Sequence, residues 1–465
     1  VSQYSIVPAT VAARGLPRRK WLPFGFTPRF LILLLMGLVW LIPAWWSPRF
    51  IAVMWVWDAV VLLVWLGDLL QLPAPGTWQV ERHWKEALSL GRWSGARVEL
   101  HNDSRRALRA AVVDETPLAF LDTPPQAELA IAAGDSAAAD YQVHPHSRGD
   151  IAMGSVYFRY RSALGMAERW AMARADQKVR VMPDLVRARN YALYLIRSRQ
   201  VEMEKRRRRQ RGVGREFESL REYRQGDELR TVHWPATARR HQLITRTFQV
   251  ERSQAVWIVL DAGRLMRAQV HDPERGLFVS KLDYAVDAAL ALAQVATQSG
   301  DRVGLLAYGR NVQQSVGLGR GASHVRTLLD ALAQVKAEVP EADHAQAVRT
   351  LLHAQSQRSL IVWITDFAET ATVPEVIEHA TLMKRRHLVV FAAVSQPDLA
   401  ALTNMSPKDE DDMYRVAAAI EVAERRERLL RRLRDQGVLA IDLEPGRLTD
   451  AVLNQYLEIK DRSLL

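Results

Sequence analysis

The chain contains no cysteine. That absence removes disulfides, thiolate zinc sites, iron–sulfur clusters and cysteine nucleophiles, and it leaves no redox compartment to be read. Phosphate-binding loops are missing as well. The apolar run that ends at Asp261 continues as Asp261-Ala262-Gly263-Arg264-Leu265, with one glycine and neither a G-x-G-x-x-G nor a G-K-[ST] pattern. No nucleotide cofactor is expected. Positive charge, by contrast, is plentiful: 63 Lys plus Arg against 52 Asp plus Glu give a net +11. Such a bias suits phosphate, an anionic membrane face or an acidic protein, and composition does not choose among them. With 465 residues, 48% apolar and 25% charged, the chain has material for about three folded units of roughly 150 residues. A single small module and wholesale disorder are both excluded.

Tryptophan is concentrated at one end. Of 14 in the chain, Trp21, Trp40, Trp45, Trp46, Trp55, Trp57 and Trp65 fall within the first 65 residues. Phe30 to Trp46 carries no charge, and Phe50 to Leu72 is interrupted only by Asp58 and Asp68. Each run is about as long as a helix needs to cross a ~30 Å hydrocarbon layer. Pro43 to Arg49 supplies a turn whose tryptophans suit the lipid–water boundary, so residues 30–72 read as a two-helix transmembrane hairpin. No small-residue cleavage site follows, which argues against a signal peptide. Arg14, Arg18, Arg19, Lys20 and Arg29 precede the first run and only Arg49 lies in the turn, so residues 1–29 and everything after 72 are expected in the cytoplasm. Asp58 is expensive in a bilayer: it has a role there, faces the partner helix or snorkels.

Residues 76–181 change character. Short alternating stretches such as 96–102, 108–115, 127–133 and 154–160, separated by turn residues, predict a small β-sandwich. Nothing there clusters His, Asp or Glu at catalytic spacing, so a packing or partner-docking module is expected, and the Arg148-Gly149-Asp150 tripeptide is read as coincidence. Residues 186–214 predict a helix and linker with a basic block (Arg197, Arg199, Lys205, Arg206, Arg207, Arg208, Arg209, Arg211) against Glu202 and Glu204. No aromatic residue lies between 195 and 216 to stack on bases, so a solvated arm near anionic lipid is preferred to nucleic acid.

From Ala255 the pattern alternates between buried-strand runs and helical periods. Strands at 255–262, 301–309, 311–318, 359–367, 387–395 and 438–444 are interleaved with helices at 281–299, near 321–336 and 344–356, and at 373–386, 413–436 and 448–461. This is the pattern of an α/β domain with a doubly wound sheet. On the 413–436 helix, Glu421–Arg425, Glu424–Arg428 and Glu427–Arg431 each place acid four residues ahead of base, a structural charge run. In such folds ligands sit beyond the carboxyl ends of the strands, which makes Asp261 and Asp366 the best candidate site.

The segment EFESLREYRQGDELRTVHWPATARRHQLITRTFQVERSQAVWIVLDAGRLM (216–266) closely resembles the domain-of-unknown-function 58 family of bacteria and archaea. Its carriers include Arg221, Tyr223, Gly226, Asp227, Arg230, Trp234, Ala236, Arg239, Arg246, Glu251 and Arg252 in the signature segment 215–252. Family members usually have Asp before the tryptophan and Lys or Arg after it, where this chain has His233 and Pro235. The resemblance implies a von Willebrand factor A-like domain over 253–465 and work beside a MoxR-type AAA+ ATPase on a client protein, and it implies no enzymatic reaction. Together with the apolar runs it makes an inner-membrane interaction protein, not an enzyme, the expected reading. A-type domains hold a divalent metal through Asp-x-Ser-x-Ser, a threonine and a second aspartate. The matching positions here are Asp261, Gly263, Leu265, Ala342 beside Asp343, and Asp366, so every hydroxyl ligand is absent.

Two expectations follow for the strand-end edge. Asp261, Gly263, Asp343 and Asp366 form a metal-independent docking edge that meets basic groups directly. Alternatively, Asp261 and Asp366 hold a weak magnesium ion and the chain is a metal-dependent hydrolase or nuclease. The signature arginines have two readings as well. Arg221, Tyr223, Asp227, Arg230 and Trp234 pack the segment through buried ion pairs and an indole anchor, or Arg221, Arg230, Arg239 and Arg246 collect a phosphate or acidic peptide.

Overall fold

Along Ser94–Asn102 every second residue is buried (Ser94, Ala96, Val98, Leu100, Asn102), as a strand with one face on a core requires. The computed structural model describes residues 11–15, 24–162, 164–184, 186, 216–223, 232–249, 254–367, 373–462 and 464, which divide into one unit up to Met182 and another from Pro183. In the first, an antiparallel sheet runs in the order Val11–Ala12, Trp78–Trp84, Ser94–Asn102, Ser136–Val143. A second runs Arg14–Gly15, Ala167–Ala173, Val156–Arg161, Leu108–Asp114, Gln126–Ile131, with Phe24–Phe26 also paired to Ala167–Ala173. Trp78, Val80, Val98 and Leu100 of the first sheet share one core with Leu108, Val112, Phe158 and Tyr160 of the second.

A charge pair ties the two sheets together. Arg82 and Asp114 are both 2% exposed. The Arg82 Nε donates to Asp114 Oδ2 at 3.0 Å, and the Tyr141 hydroxyl donates to the same oxygen at 2.5 Å. The rest of the guanidinium fork is satisfied by the carbonyls of Ala175 at 2.9 Å and Gly154 at 3.0 Å. Burial, and then the neighbouring carboxylate, pushes the Tyr141 hydroxyl far above its ordinary range.

Residues 1–29 and 76–181, separated in the sequence reading, are joined by strand pairing. Val11–Ala12 pairs with Val80 and Gln79, Arg14–Gly15 with Ala171 and Met172, and Phe24–Phe26 with Ala167 to Arg169. The apolar helices are thus an excursion out of one β unit. The first apolar run is not a single long helix: it is helical over Pro28–Met36, tightens to a 3₁₀ turn at Gly37–Trp40 and ends at Ala44. Arg49–Gln71 is the one described helix long and apolar enough to cross a membrane. The two stretches pack together, with the Trp57 indole donating to the Leu33 carbonyl at 2.9 Å. The backbone of Gly37 lies against Asp58, whose Oδ1 is buried without a hydrogen-bond partner among the described residues, and any side chain at Gly37 would collide with it.

At its far end the long helix is clamped to the β unit. Asp68, 1% exposed, accepts from the Met166 and Ala167 amides at 2.9 Å and from the Ser162 hydroxyl. Thr27, at the start of the first helix, donates to the carbonyls of Gly165 at 2.8 Å and Met166 at 3.0 Å. Asp68, one of two charges in the apolar run, is therefore an anchor for the turn between Val156–Arg161 and Ala167–Ala173.

In the second unit a six-stranded sheet runs Val312–Gly319, Arg302–Tyr308, Ala255–Asp261, Leu360–Thr365, Leu388–Val394, Leu439–Leu443, parallel except for the first strand. Ala255–Asp261 and Leu360–Thr365 are buried at every position, which is why they read as unbroken apolar runs. Trp257, Val259, Ile361 and Trp363 pack on helices His344–Ala354, Val373–Lys384 and Glu410–Asp435. The helix Lys281–Gln298 contacts the same sheet and lies beside Ala322–Gln334 and Leu448–Asp461. Asp301, fully buried, locks the last helix by accepting from Tyr456 Oη at 2.5 Å and Lys460 Nζ at 2.7 Å. Beyond Ala255, the hairpin Gln269–Asp272/Leu277–Ser280 and the short helix Pro397–Thr403 escaped the sequence reading; so did the strand pair Glu216–Glu222/Ile244–Gln249 and the helix Trp234–Arg240 before it. The basic block at 197–211 lies outside the described residues.

Replacing Asp114 with alanine strands the buried Arg82 guanidinium. It is expected to destabilise the β unit by about 3–5 kcal/mol, far more than Asp140→Ala at the exposed Arg97 pair. Thermal unfolding of the solubilised chain, followed by near-ultraviolet circular dichroism, measures the difference; equal midpoints for the two variants would contradict it.

Candidate functional site

The strands Ala255–Asp261 and Leu360–Thr365 are adjacent and parallel, so their carboxyl ends emerge side by side. Asp261 and Asp366 do meet at this edge, but neither is open. Asp261 is 3% and Asp366 is 6% exposed. Asp261 Oδ1 accepts from the Gly263 amide at 2.7 Å and its Oδ2 from the Thr365 hydroxyl at 2.5 Å. Asp366 Oδ2 accepts from Lys281 Nζ at 2.7 Å and Oδ1 from Arg426 Nη1 at 2.7 Å. Lys281 is itself 2% exposed and sits at the first position of its helix, after the Ser280 cap.

Arg426 extends the network. Its Nε and Nη2 donate to Asp442 at 2.8 to 3.1 Å, its Nη1 also reaches the Phe367 carbonyl at 2.9 Å, and the guanidinium lies 4.6 Å over the Phe367 ring. A planar five-donor fork is what such a junction needs, and lysine would not serve. On the same helix the three acid–base pairs behave unequally. Glu421–Arg425 and Glu427–Arg431 form, whereas Arg428 donates to the Glu424 backbone carbonyl at 3.3 Å.

The loops beside Asp261 are packed shut. A Cβ at Gly263 would stand 2.8 Å from the Ala342 amide nitrogen and 2.9 Å from the Ala342 Cβ. Asp343, exposed, caps the next helix by accepting from the Gln346 amide at 2.8 Å, and its own amide donates to the Gly309 carbonyl at 2.9 Å. Behind them the Trp363 indole donates to Tyr308 Oη at 2.7 Å, and that hydroxyl lies 2.9 Å from His344 Nδ1. Burial pushes the Asp261 carboxyl above its ordinary range, against the pull of His344 and of its two donors. Burial likewise holds the Tyr308 hydroxyl protonated well above its usual value.

A divalent cation does not fit this donor set. Gly263, Leu265 and Ala342 bring no side-chain oxygen, both oxygens of each aspartate are engaged, and two fixed cations already neutralise Asp366. Among the described residues no group of three His, Asp or Glu side chains is arranged to hold a metal. Sequence reasoning missed Lys281, Arg426, Thr365, Tyr308 and His344, which lie far along the chain from the aspartates they serve.

The signature segment is described in part. Arg221 and Arg246 lie on the antiparallel pair Glu216–Glu222/Ile244–Gln249, as register partners of Thr245 and Leu220. Gly226, Asp227, Arg230, Glu251 and Arg252 lie outside the described residues. Tyr223 donates its amide to the Leu243 carbonyl at 2.8 Å. Trp234, Ala236 and Arg239 belong to the short helix Trp234–Arg240, and Trp234 is 64% exposed. The indole is therefore not the buried anchor considered above. His233 takes the capping role: its Nδ1 accepts from the Ala236 amide at 3.1 Å, as a carboxylate would at that position. Pro235, in the first turn, forfeits an amide that the helix does not use.

Residues 219–436 match the model of a family described as "Protein of unknown function DUF58". Uncharacterized proteins of Mycobacterium tuberculosis and Mycobacterium bovis are 30% identical over 159 residues, which is 34% of this chain and 48% of theirs. The match thus spans about half the length of these curated relatives. Among solved structures, an uncharacterized membrane-spanning protein from Vibrio fischeri aligns over 44% of this chain and 96% of its own, at 19% identity and a TM-score of 0.17. The ASH/PapD-like domain of human CEP192 aligns over 20% and 80%, at 13% identity and a TM-score of 0.14. Such scores define no shared fold.

The raised Asp261 carboxyl has a checkable sign. Its proton is held more tightly in the folded chain, so ionised Asp261 lowers stability above its folded pKa, and that penalty fades as pH falls through the folded value towards 3.8. Asp261→Asn cannot ionise. Wild type is expected to lose stability relative to the variant as pH rises from the carboxylate range to neutrality; a relative gain would refute the assignment.

Proposed function

We propose that the chain is a membrane-anchored interaction protein whose second unit is a von Willebrand factor A-like domain acting as a metal-independent adaptor. The supporting observation is the occupied edge: Asp366, with one oxygen held by Lys281 and the other by Arg426, has no free oxygen to offer an ion. The sheet order, parallel apart from its first strand, supports the A-type and doubly wound reading. The apolar helices Pro28–Ala44 and Arg49–Gln71 support anchoring as a two-span hairpin in an inner membrane, with the soluble parts cytoplasmic. Family resemblance is the ground for a MoxR-type AAA+ ATPase as partner and a client protein as cargo.

With Asp261 and Asp366 consumed internally, the groups this edge offers a partner are Asp343, the exposed Val339 and Pro340, and Glu341. Glu341 is engaged only by the exposed Arg264, at 3.2 Å, a pair that water screens. A basic patch on the partner would meet this loop directly.

Affinity isolation from solubilised membranes under nucleotide-locked conditions tests the reading. An AAA+ ATPase is expected among the recovered proteins. The double variant Glu341→Lys/Asp343→Asn, which keeps a helix cap, is expected to lower its recovery about tenfold, the equivalent of ~1.4 kcal/mol. Recovery of no ATPase, or metal-dependent hydrolysis that vanishes in Asp366→Ala, would overturn the reading in favour of an enzyme.

A further inference from the structure

The membrane-proximal end of the β unit carries a charge imbalance that its own packing does not use. Three chain segments meet there: the strand Leu108–Asp114 begins, Val156–Arg161 ends and Ala167–Ala173 begins. The foot of the long apolar helix is fixed to the same end. Besides the Asp68 clamp, Arg106 Nη1 donates to the Gln71 carbonyl at 2.9 Å and Tyr160 Oη to the Pro73 carbonyl at 2.7 Å. Arg29 Nη1 reaches the Leu164 carbonyl at 3.4 Å in the clamped turn.

Arg109 and Arg161 are direct cross-strand partners, and Arg159 lies one pleat further along the same outer face. Like charges placed opposite one another are destabilising unless something neutralises them. Arg161 has its neutraliser, Glu168, at 3.1 Å, and that carboxylate is buried. Arg109 and Arg159 are exposed and have no carboxylate partner among the described residues, and the same holds for Arg105 in the loop just before Leu108. Of the acids near this end, Asp68 is committed to the turn amides, Glu168 to Arg161 and Trp170, and Asp103 to His101 and Gln79. Exposed Glu128, opposite Ala111 on the same face, and Asp135 are outnumbered by the five arginines around them.

We infer that Arg29, Arg105, Arg106, Arg109 and Arg159 form a collar at the foot of the apolar helices that binds the phosphates of anionic phospholipids. The inference rests on the membrane-anchored reading, which puts this rim at head-group level. Two features favour lipid over a soluble anion. The arginines are spread along a rim rather than converging on one pocket, and the surface beside them is apolar, with Phe26, Leu31 and Leu164 about half exposed. Arginine suits the task because its fork takes two phosphate oxygens at once and keeps its charge at the head-group boundary. Each basic side chain near an anionic surface is worth about a fivefold gain in affinity.

The test uses the full chain reconstituted in phosphatidylcholine vesicles carrying a trace of pyrene-labelled phosphatidylglycerol, with pyrene-labelled phosphatidylcholine as the control. Energy transfer from the tryptophans reports which lipid gathers at the protein. Wild type is expected to enrich the labelled phosphatidylglycerol, and molar salt is expected to abolish the enrichment. The triple variant Arg105→Gln/Arg109→Gln/Arg159→Gln, all surface changes, is expected to lower the preference about a hundredfold while retaining its circular dichroism spectrum. Equal transfer from both labelled lipids, or an unaffected triple variant, overturns the collar and leaves anchoring intact. Failure to float with vesicles of either composition overturns the anchoring reading and the collar with it. Displacement of the labelled lipid by millimolar inorganic phosphate would assign the site to a free anion instead.

Discussion

A carboxylate at the end of a fully buried strand has to be matched by charge, because water does not reach it. Asp366 meets this constraint with two cations from distant parts of the chain, Lys281 at the start of one helix and Arg426 in the middle of another. Through Arg426 the same network takes in Asp442, so one carboxylate links the ends of two strands and two helices. Removing Asp366 leaves Lys281 buried without its counterion, which is costlier than never having built the pair. The network therefore fixes geometry more than it adds stability.

The β unit follows the same rule with other residues. Asp114 is matched by Arg82 and Tyr141 across two sheets, and Asp68 by two amides and a hydroxyl where the long helix meets a turn. An aspartate in an apolar run invites a transport or signalling reading, because ionisable groups in a membrane are expensive. For Asp68 the Met166 and Ala167 amides and the Ser162 hydroxyl account for the charge fully. Asp58, one of whose oxygens faces Gly37 with no donor, is the member of the pair that stays outside this accounting.

Much of the second unit was legible from its residues. The unbroken apolar strands announce their burial on both faces, and an aspartate directly after such a run must lie at the carboxyl edge, so the meeting of Asp261 and Asp366 follows from topology alone. The partners do not. Lys281 and Arg426 stand 85 and 60 residues from Asp366, and Arg426 sits in a helix whose charges at neighbouring positions face water, so no local pattern marks it as inward. The N-terminal strands fail to show for a different reason: at two or three residues they are too short to display the alternation over about four or more residues that reveals a strand. The continuous apolar run at 30–46 hides its 3₁₀ turn because composition measures hydrophobicity and is blind to how the backbone winds.

The way the edge is filled bears on how an adaptor built on it would work. Where a metal completes a docking surface, the surface exists only when the ion and the partner's own ligand are both present, and affinity varies with ion supply. Here Lys281 is covalently part of the chain, and its ammonium is held in place whether or not a partner is bound. Gly263 against Ala342 closes the space beside it with contacts that a hydroxyl-bearing residue at Gly263 would disrupt. An adaptor surface on such an edge would be preformed, and control over binding would then have to come from the partner's state.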